Sequence, residues 1–422
     1  MLLAFLPSYF LILLPSWLPS LLASQPLREQ IHMTKNPEIP GGLYIHIPFC
    51  KKKCFYCDFY SVTDLSPIPL FLAALEREMQ LANRVPLVFD SVYIGGGTPS
   101  ILEADHIAGI IAAAFKHFRT LPEVEVTLEV NPGTATLEDL KTYRNSGVNR
   151  LNIGVQSFHA DNLKFLDRIH TVSQALLCFG WARQAGFANV GLDLIYGLPA
   201  QNPNGWLEDL ARAVDLNPEH LSCYMLTRES GTPLDKAAAA GRVRLAGEET
   251  LRALFEATID YLTGHGFLHY EVSNFARLAE NSGSPWTSRH NSKYWSMAPY
   301  IGLGPSAHSF IEPQRWWNHK SVQNYIRELQ CDNLPVAGKE QLTRDQLLME
   351  AIYLGFRTAE GIDLPGFEDK FGIDFLKHFA ATIIDFEKEG FLNVSKNHCT
   401  LTVPGMALLD SITAAFTNQD FR

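Results

Sequence analysis

The chain has 422 residues, of which 46% are hydrophobic and 19% charged, a composition that excludes a disordered or fibrous protein and suits two or three globular domains. Lys and Arg number 35 against 45 for Asp and Glu, and this formal net charge of −10 argues against nucleic acid as the main partner. The seven cysteines are too few for a disulfide scaffold.

Residues 1–34 form an apolar extension that we exclude from the predicted fold. Residues 1–23 carry no charge, and the first charged residue is Arg28. The length suits a membrane span, but three prolines interrupt the run, and no basic residue precedes it as in a signal peptide. Three interpretations stay open: a mis-called start with Met33 as the initiator, a membrane anchor, and a targeting peptide.

Residues 35–274 alternate between short β-branched runs and longer amphipathic stretches. The predicted strands are residues 43–47, 91–94, 124–130, 150–155, 190–195 and 220–226. The predicted helices are residues 69–83, 104–118, 136–146, 173–185, 205–216 and 247–264. This alternation requires parallel strands with right-handed crossovers, which a partial (β/α)6 barrel or an open doubly wound sheet would satisfy. In both folds, functional sites lie at the carboxyl ends of the strands.

The remainder of the chain divides into two further predicted regions. Residues 275–334 are rich in Pro, Ser, Trp and Tyr with little periodicity, which predicts irregular structure covering one end of the barrel. Residues 335–422 return to helical periodicity with two short strand candidates, 392–394 and 399–403, and a final helix. This helix–helix–hairpin–helix order resembles a small winged-helix domain, for which we favour a packing or dimerisation role because the chain is acidic.

Cys50, Cys54 and Cys57 follow the first predicted strand in a C-x3-C-x2-C pattern. Thiolates at this spacing on one loop can converge on a soft metal centre. A structural zinc site would need a fourth ligand such as His46, and a disulfide pair does not suit a reducing compartment. An iron–sulfur cluster normally uses four cysteines, so three would leave one iron open to a substrate or cofactor.

The pattern resembles the signature of radical S-adenosylmethionine (SAM) enzymes. The wider match, over residues 42–416, resembles their coproporphyrinogen-III-oxidase-like branch and, within it, the HemW-type heme chaperones. The resemblance implies a partial (β/α)6 barrel and a 4Fe-4S cluster held by Cys50, Cys54 and Cys57. It also implies that the fourth iron chelates SAM, whose reductive cleavage gives methionine and a 5′-deoxyadenosyl radical.

The resemblance further implies a set of SAM contacts at successive strand ends. The backbone of the GGGTP segment would approach the methionine moiety closely, since glycine has no side chain. Arg168 would pair with the SAM carboxylate, and Asp193 would accept from the ribose hydroxyls. The full set is Tyr44, Tyr56, Gly96, Gly97, Thr98, Glu129, Gln156, Arg168 and Asp193.

Two features separate the chaperones from the oxidases of this branch. The oxidases carry a further cysteine two residues after the third, where this chain has Phe59. The chaperones carry an HNxxYW motif, present here from His290 to Trp295, which implies that His290 binds heme. His308 is a second candidate ligand. Without the resemblance, His290 would be interpreted as a loop histidine beside an aromatic core cluster.

The sequence therefore predicts a heme chaperone that passes heme to an acceptor such as a respiratory protein. The alternative is an oxygen-independent coproporphyrinogen III oxidase. The predicted cofactors and ligands are a 4Fe-4S cluster, SAM and heme. Free thiols and an oxygen-sensitive cluster predict a cytoplasmic location, with attachment to the cytoplasmic face of the membrane and homodimerisation left open.

Overall fold

The structure is a computed structural model that describes residues 39–199, 201–280 and 283–417. Its central feature is a run of six parallel strands that are hydrogen-bonded to one another in chain order. These strands are β1 (Gly41–Ile47), β2 (Val88–Gly96), β3 (Arg119–Val130), β4 (Arg150–Gln156), β5 (Val190–Tyr196) and β6 (His220–Met225). A doubly wound sheet reverses its strand order at one point, so the unbroken order supports the partial barrel.

Eight helices connect these strands or follow them within the described ranges. They are α1 (Ile68–Ala82), α2 (Ala104–His117), α3 (Leu137–Asn145), α4 (Ala160–Phe165), α5 (Val172–Gln184), α6 (Pro203–Asp215), α7 (Pro233–Ala239) and α8 (Glu248–Gly264). The predicted strands and long helices are confirmed. Each of the helices α3 and α5 begins with a capping box, at Thr136 and Thr171, because a threonine there satisfies an orphan backbone N–H.

The core lies between the parallel strands and the helices that cover them. On α1, Phe71, Leu75 and Met79 are spaced at helical intervals and are at most 1% exposed. They pack against strand residues such as Ile45 and Ile47, which are fully buried. Each such side chain contributes about 1.5–3 kcal/mol of burial free energy, so this packing fixes the strand ends that carry the site.

The prediction of irregular structure over residues 275–334 is wrong. This region and its flanks contain β7 (Phe267–Glu271), β8 (Asn274–Arg277), α9 (Arg289–Trp295), β9 (Tyr300–Leu303), β10 (His308–Ile311), β11 (Gln314–Asn318), α10 (Val322–Gln330) and β12 (Val336–Gln341). The complete strand order is β12-β11-β10-β9-β1-β2-β3-β4-β5-β6-β8-β7, an open sheet. These added strands have four to six residues, too few for a periodicity to be recognised, and β9 pairs with β1, which is distant in the chain.

The carboxyl-terminal region is helical with one small antiparallel sheet, as predicted. It comprises α11 (Arg344–Phe356), β13 (Ile362–Asp363), α12 (Leu364–Phe371), α13 (Phe375–His378), α14 (Ala380–Lys388), β14 (Leu392–Val394), β15 (His398–Leu401), α15 (Val403–Met406) and α16 (Leu409–Thr417). The sheet order is β13-β15-β14. Its core includes Phe375, whose ring stacks on Phe416 at 5.7 Å. The boundaries predicted for the four regions stay predictions.

Among the described residues, no helix is both long enough and apolar enough to span a membrane. The predicted apolar extension, residues 1–34, lies outside the described residues.

Candidate functional site

The three clustered cysteines lie on a loop that is closed at its base. Cys50 N donates to Val62 O at 3.0 Å, and Val62 N donates to Pro48 O at 2.7 Å, so the segment between them leaves and rejoins the carboxyl end of β1. Within the loop, Cys57 N donates to Cys54 O at 3.3 Å. Cys50 is buried, Cys54 and Cys57 are half-buried, and all three thiols are free. The loop therefore holds its sulfurs together at the strand-end face.

A cavity that is partly open to solvent lies at this face. Its walls include the three cysteines and most of the residues that the resemblance assigns to SAM: Tyr56, Gly96, Gly97, Thr98, Glu129, Gln156, Arg168 and Asp193. The sequence did not single out several other wall residues, including Asn152, Ile169, Tyr224 and Met225. The sequence could have indicated Asn152, because this polar residue lies on a predicted strand that ends at this face.

The glycines after β2 allow this segment to pack against the cysteine loop. Gly97 N donates to Ile47 O and Thr98 N donates to Phe49 O, both at 2.8 Å. A Cβ atom added at Gly97 would lie 2.7 Å from Phe49 O and 2.9 Å from Cys50 Sγ. Any side chain there would displace the first cysteine, so this glycine is required for the position of the thiol itself as well as for an open cavity.

Glu129 is the buried carboxylate of the cavity wall. Its Oε1 accepts from Tyr93 Oη at 2.8 Å, and its Oε2 accepts from Gly96 N at 3.1 Å. Burial raises the pKa of Glu129, and the hydrogen bond from Tyr93 opposes this rise. Gln156, at the end of β4, has a left-handed backbone with φ of 67°, an uncommon conformation that is enriched at functional sites.

Arg168 brings a positive charge to the cysteines. Its Nη1 donates to Cys54 Sγ at 3.5 Å and its Nη2 donates to Gly154 O at 3.0 Å, while its Nε is buried without a partner among the described residues. The preceding residue, Asp167, has φ of 58° and forms a salt bridge with Lys52 of the cysteine loop. This ion pair joins the two segments that carry Cys54 and Arg168.

Burial disfavours the thiolate form of Cys57 before any metal is bound. The pKa of Cys57 rises to about 12, first through burial and then through the neighbouring Cys54. In the described part of the chain, no three His, Cys, Asp or Glu side chains converge on a point that one metal ion could occupy. The thiolates of a cluster ligate different irons, so their sulfurs need not meet at one point.

The chemistry of these wall residues fits a cluster with bound SAM. Three thiols on one loop can ligate three irons, and the cavity wall includes Arg168, whose Nε has no partner among the described residues. On the neighbouring strands β4 and β5, Asp193 Oδ1 and Asn152 Oδ1 are also buried without partners among the described residues. An unpaired buried acceptor costs about 1–3 kcal/mol, which a hydroxyl-bearing ligand would recover.

Tyr44 lies apart from this cavity. Its hydroxyl hydrogen-bonds His46 Nδ1 at 3.0 Å, and its ring lies 6.2 Å from that of Tyr93. His46 Nε2 in turn bonds Tyr60 O at 2.9 Å, just beyond the cysteine loop. Tyr44 therefore lies in the barrel interior, and it supports the loop through His46 instead of lining the cavity.

His290 is also placed in the barrel interior and not in the cavity. It lies on α9, is 1% exposed, and hydrogen-bonds Ser91 Oγ through Nδ1 at 3.1 Å and Tyr294 Oη through Nε2 at 2.9 Å. Its motif neighbour Lys293 forms a buried ion pair with Asp90 at 2.7 Å. In the described conformation both ring nitrogens are engaged, so heme ligation by His290 stays a prediction.

The other residues of the motif join the barrel to the carboxyl-terminal region. The guanidinium of Arg357, at the end of α11, lies 4.8 Å from the ring centroid of Trp295. Lys293 Nζ also donates to Pro40 O at 2.7 Å, which fixes the chain just before β1. The HNxxYW segment thus closes the amino-terminal end of the barrel, opposite the cysteine loop.

Two family models match the chain. The Radical SAM superfamily model matches residues 44–213, and the HemN C-terminal domain model matches residues 342–408. The first range contains the cysteine loop and the strand ends that form the cavity, and the second covers most of the carboxyl-terminal region.

Curated relatives match over nearly their whole length. A heme chaperone HemW of Mycobacterium tuberculosis is 34% identical, over 89% of this chain and 94% of the relative. The heme chaperone HemW of Bacillus subtilis is 32% identical, over 89% of this chain and 99% of the relative. Among solved structures, the coproporphyrinogen III oxidase HemN of Escherichia coli, a radical SAM enzyme, superposes with a TM-score of 0.77 at 25% identity, covering 91% of each chain.

Proposed function

This chain belongs to the HemW family of the radical SAM superfamily, and on that premise we propose that it is a heme chaperone, which binds heme and delivers it to acceptor proteins. The observation that carries the proposal is the match to heme chaperones from several species over most of both chains. Membership of the superfamily implies a 4Fe-4S cluster and SAM as cofactors.

We assign the cluster to Cys50, Cys54 and Cys57 and SAM to the wall of the same cavity. Arg168 would hold the SAM carboxylate, and Asp193 would accept from the ribose hydroxyls, because each has an unpaired polar atom in the cavity wall. Glu129 would hold the amino group of SAM, while its bonds to Tyr93 and Gly96 fix its orientation. When bound, the cluster supplies an electron and an open coordination position.

The remaining predicted SAM contacts shape the cavity or offer it hydrogen bonds and a ring surface. Gly96 and Gly97 keep the strand end close to the cysteine loop, and Thr98 Oγ1 donates to Cys50 Sγ at 3.5 Å. The ring of Tyr56 is half-buried in the cavity wall beside the cysteines, where an adenine could stack on it. Gln156 offers both a donor and an acceptor at the end of β4.

The second candidate function is coproporphyrinogen III oxidation, and the structural match to HemN is the observation that favours it. Against it stands Phe59, at the position where the oxidases resembled by this chain carry a further cysteine. Here the backbone carbonyl of Phe59 accepts from Lys53 Nζ at 3.1 Å, so this position contributes to the fold of the loop and offers no thiol.

We place the barrel in a reducing, cytoplasmic compartment, because free cluster thiols and an open iron would not survive in an oxidising one. Attachment to the cytoplasmic face of a membrane and homodimerisation also stay predictions. We propose a respiratory protein as the first candidate for the heme acceptor. This choice rests on the proposed chaperone role alone.

Two assays on one anaerobic preparation test the function. With a reconstituted cluster, hemin titration should give a saturable Soret change at about one heme per chain. The same preparation, given SAM, a reductant and coproporphyrinogen III, should release no carbon dioxide. Sustained SAM-dependent decarboxylation would contradict the chaperone function and support the oxidase function.

A further inference from the structure

We propose that Tyr93 couples the SAM site to the heme motif, so that SAM bound in the cavity opposes heme binding at His290 and favours heme release. The inference rests on the proposed heme-chaperone function and extends it to its regulation. It concerns the side chains that lie between the cavity and α9, where Glu129 contacts the hydroxyl of Tyr93 and His290 contacts its ring.

Tyr44 and Tyr93 form a tyrosine layer across the barrel interior. They lie in register on the adjacent strands β1 and β2 and are 8% and 3% exposed. The hydroxyl of Tyr93 donates to Glu129 Oε1 at 2.8 Å, and that of Tyr44 bonds His46 Nδ1 at 3.0 Å. Glu129 and His46 are the penultimate residues of β3 and β1. Both hydroxyls therefore point toward the strand ends that carry the cavity.

The rings of the same two tyrosines contact His290 of α9. The centroid of its imidazole lies 5.2 Å from that of Tyr93 and 6.1 Å from that of Tyr44, with the ring planes 30° apart in each pair. These distances fall within the range of about 4.5–7 Å for favourable contacts between aromatic rings. Tyr93 thus bonds a predicted SAM contact with its hydroxyl and packs against the motif histidine with its ring.

The tyrosine layer is closely packed on both sides. A Cβ atom added at Gly95 would lie 2.8 Å from Tyr93 Cε1 and 2.9 Å from Glu129 Cδ. On the side of α9, a Cβ atom added at Gly42 would lie 3.0 Å from His290 Nδ1. Because a closely packed interior transmits displacements, a movement of His290 changes the position of Tyr93, and with it the bond to Glu129.

Heme ligation requires a second position of His290. In the described conformation its ring nitrogens are hydrogen-bonded to Ser91 Oγ and Tyr294 Oη, and the side chain is 1% exposed. To bind iron, the imidazole has to give up at least one of these bonds and withdraw from the ring of Tyr93. Tyr93 then loses the packing that holds its hydroxyl on Glu129.

The direction of the coupling follows from the contacts in these two positions. SAM whose amino group is held by Glu129 stabilises the orientation of that carboxylate, and through Tyr93 it stabilises the buried position of His290. Heme stabilises the other position. A ligand shifts a two-state equilibrium toward the state that it binds better, and the effect is reciprocal. SAM should therefore weaken heme binding, and heme should weaken SAM binding by the same factor.

The test is the hemin affinity of the full-length reconstituted protein with and without saturating SAM, measured without a reductant so that SAM stays intact. We expect SAM to weaken hemin binding by about fivefold or more, the lower end of the usual coupling between two sites. Tyr93→Phe keeps the ring and removes the bond to Glu129, so the ratio of the two affinities should fall toward one. Direct binding measurements confirm that SAM is saturating for each variant.

Tyr143→Phe is the matched control for this ratio. Tyr143 is also fully buried, but it lies on α3 and outside the cavity wall. This variant should therefore keep the ratio of the parent. Because each variant is compared with itself, the ratio does not depend on a change in its overall hemin affinity.

A second variant tests the buried position of His290. Ser91→Ala leaves His290 Nδ1 without its partner in that position only, so hemin should bind about fivefold more tightly in the absence of SAM, as expected for one hydrogen bond. If Ser91 only supported the fold, its loss would leave hemin binding unchanged or weaken it, and either result would contradict the inference.

The remaining outcomes separate the inference from the proposed function. Hemin affinity that is the same with and without SAM in the parent would overturn the inference and leave the chaperone function in place. So would a SAM effect in Tyr93→Phe as large as in the parent. Failure of the parent protein to bind hemin at all would overturn the proposed function as well.

Discussion

Asn152 Nδ2 donates to Asp193 Oδ2 at 2.7 Å across the adjacent strands β4 and β5. The other oxygen of each side chain, Asn152 Oδ1 and Asp193 Oδ1, is buried in the cavity wall without a partner in the described part of the chain. Burial raises the pKa of Asp193, and the bond from Asn152 opposes this rise. The bond between the two side chains fixes their orientation and leaves one acceptor oxygen on each for the hydroxyl groups of a ligand.

We predict that Asp193→Asn weakens SAM binding about tenfold, because it replaces a charged acceptor with an amide, and hydrogen bonds to charged groups are worth about 1.5–3 kcal/mol. Equilibrium binding to the reconstituted protein measures the effect. The matched control is Asp215→Asn, the same change at an exposed residue that ends α6. Equal SAM affinity in Asp193→Asn and the parent would remove Asp193 from the site.

Replacement of Cys50, Cys54 or Cys57 by Ala should abolish the cluster, since each thiolate would hold a different iron. Iron and sulfide analysis with the visible absorbance of the reconstituted protein measures this loss. Cys178, Cys223, Cys331 and Cys399 lie outside the cavity wall and serve as controls, which should retain about four irons per chain. The assignment fails if one of these four proves essential while one of the three is dispensable.

Arg168→Gln should lower the reduction potential of the cluster. The guanidinium lies 3.5 Å from Cys54 Sγ, and a positive charge there favours the reduced, more negative state. Glutamine retains a donor for Gly154 O but no charge. Potentiometric titration followed by electron paramagnetic resonance gives the potential, with the exposed Arg144→Gln as a control. A potential equal to or above that of the parent would contradict this role.

The stability of the fold should decrease as pH rises through the titration of Glu78. This carboxyl is 2% exposed and accepts from Tyr325 Oη, Gly304 N and Asn318 Nδ2 at 2.6–2.7 Å. Burial nevertheless raises its pKa to about 7, above the value of about 4.3 for an unfolded chain. Between these values the folded chain holds a proton that the unfolded chain has lost, so the free energy of unfolding falls by up to about 3 kcal/mol.

Urea unfolding at pH 5 and pH 8 tests this dependence. The parent should be less stable at pH 8, and Glu78→Gln should show a smaller difference between the two pH values because residue 78 no longer titrates. Glu76→Gln, on the same helix with an exposed side chain, should behave like the parent. A pH difference in Glu78→Gln as large as in the parent would assign the effect to other groups.

The sequence predicted the barrel strands because parallel strands are buried on both faces and appear as continuous apolar runs. The short strands β7 to β12 were missed, since their pairing partners, rather than a local pattern, determine their structure. In the candidate site, the spacing of the cysteines pointed to one loop. The bond between Asn152 and Asp193 could not be foreseen, because it depends on the register of β4 against β5.

The HNxxYW motif shows the limit of a sequence motif as evidence for a ligand. The motif marks His290, but the sequence does not show that Ser91 and Tyr294 occupy both of its ring nitrogens. Burial and hydrogen bonding, which decide whether an imidazole can bind iron, are properties of the tertiary structure.

Heme transfer tests the central claim most directly. The heme-loaded protein is mixed either with a heme-free respiratory b-type apoprotein or with an excess of apomyoglobin, which only captures heme that has dissociated. Transfer to an acceptor requires contact between the two proteins, so the account predicts that the respiratory apoprotein removes heme faster, at a rate that rises with its concentration. Heme loss at the same concentration-independent rate to both would show passive dissociation and contradict the chaperone function.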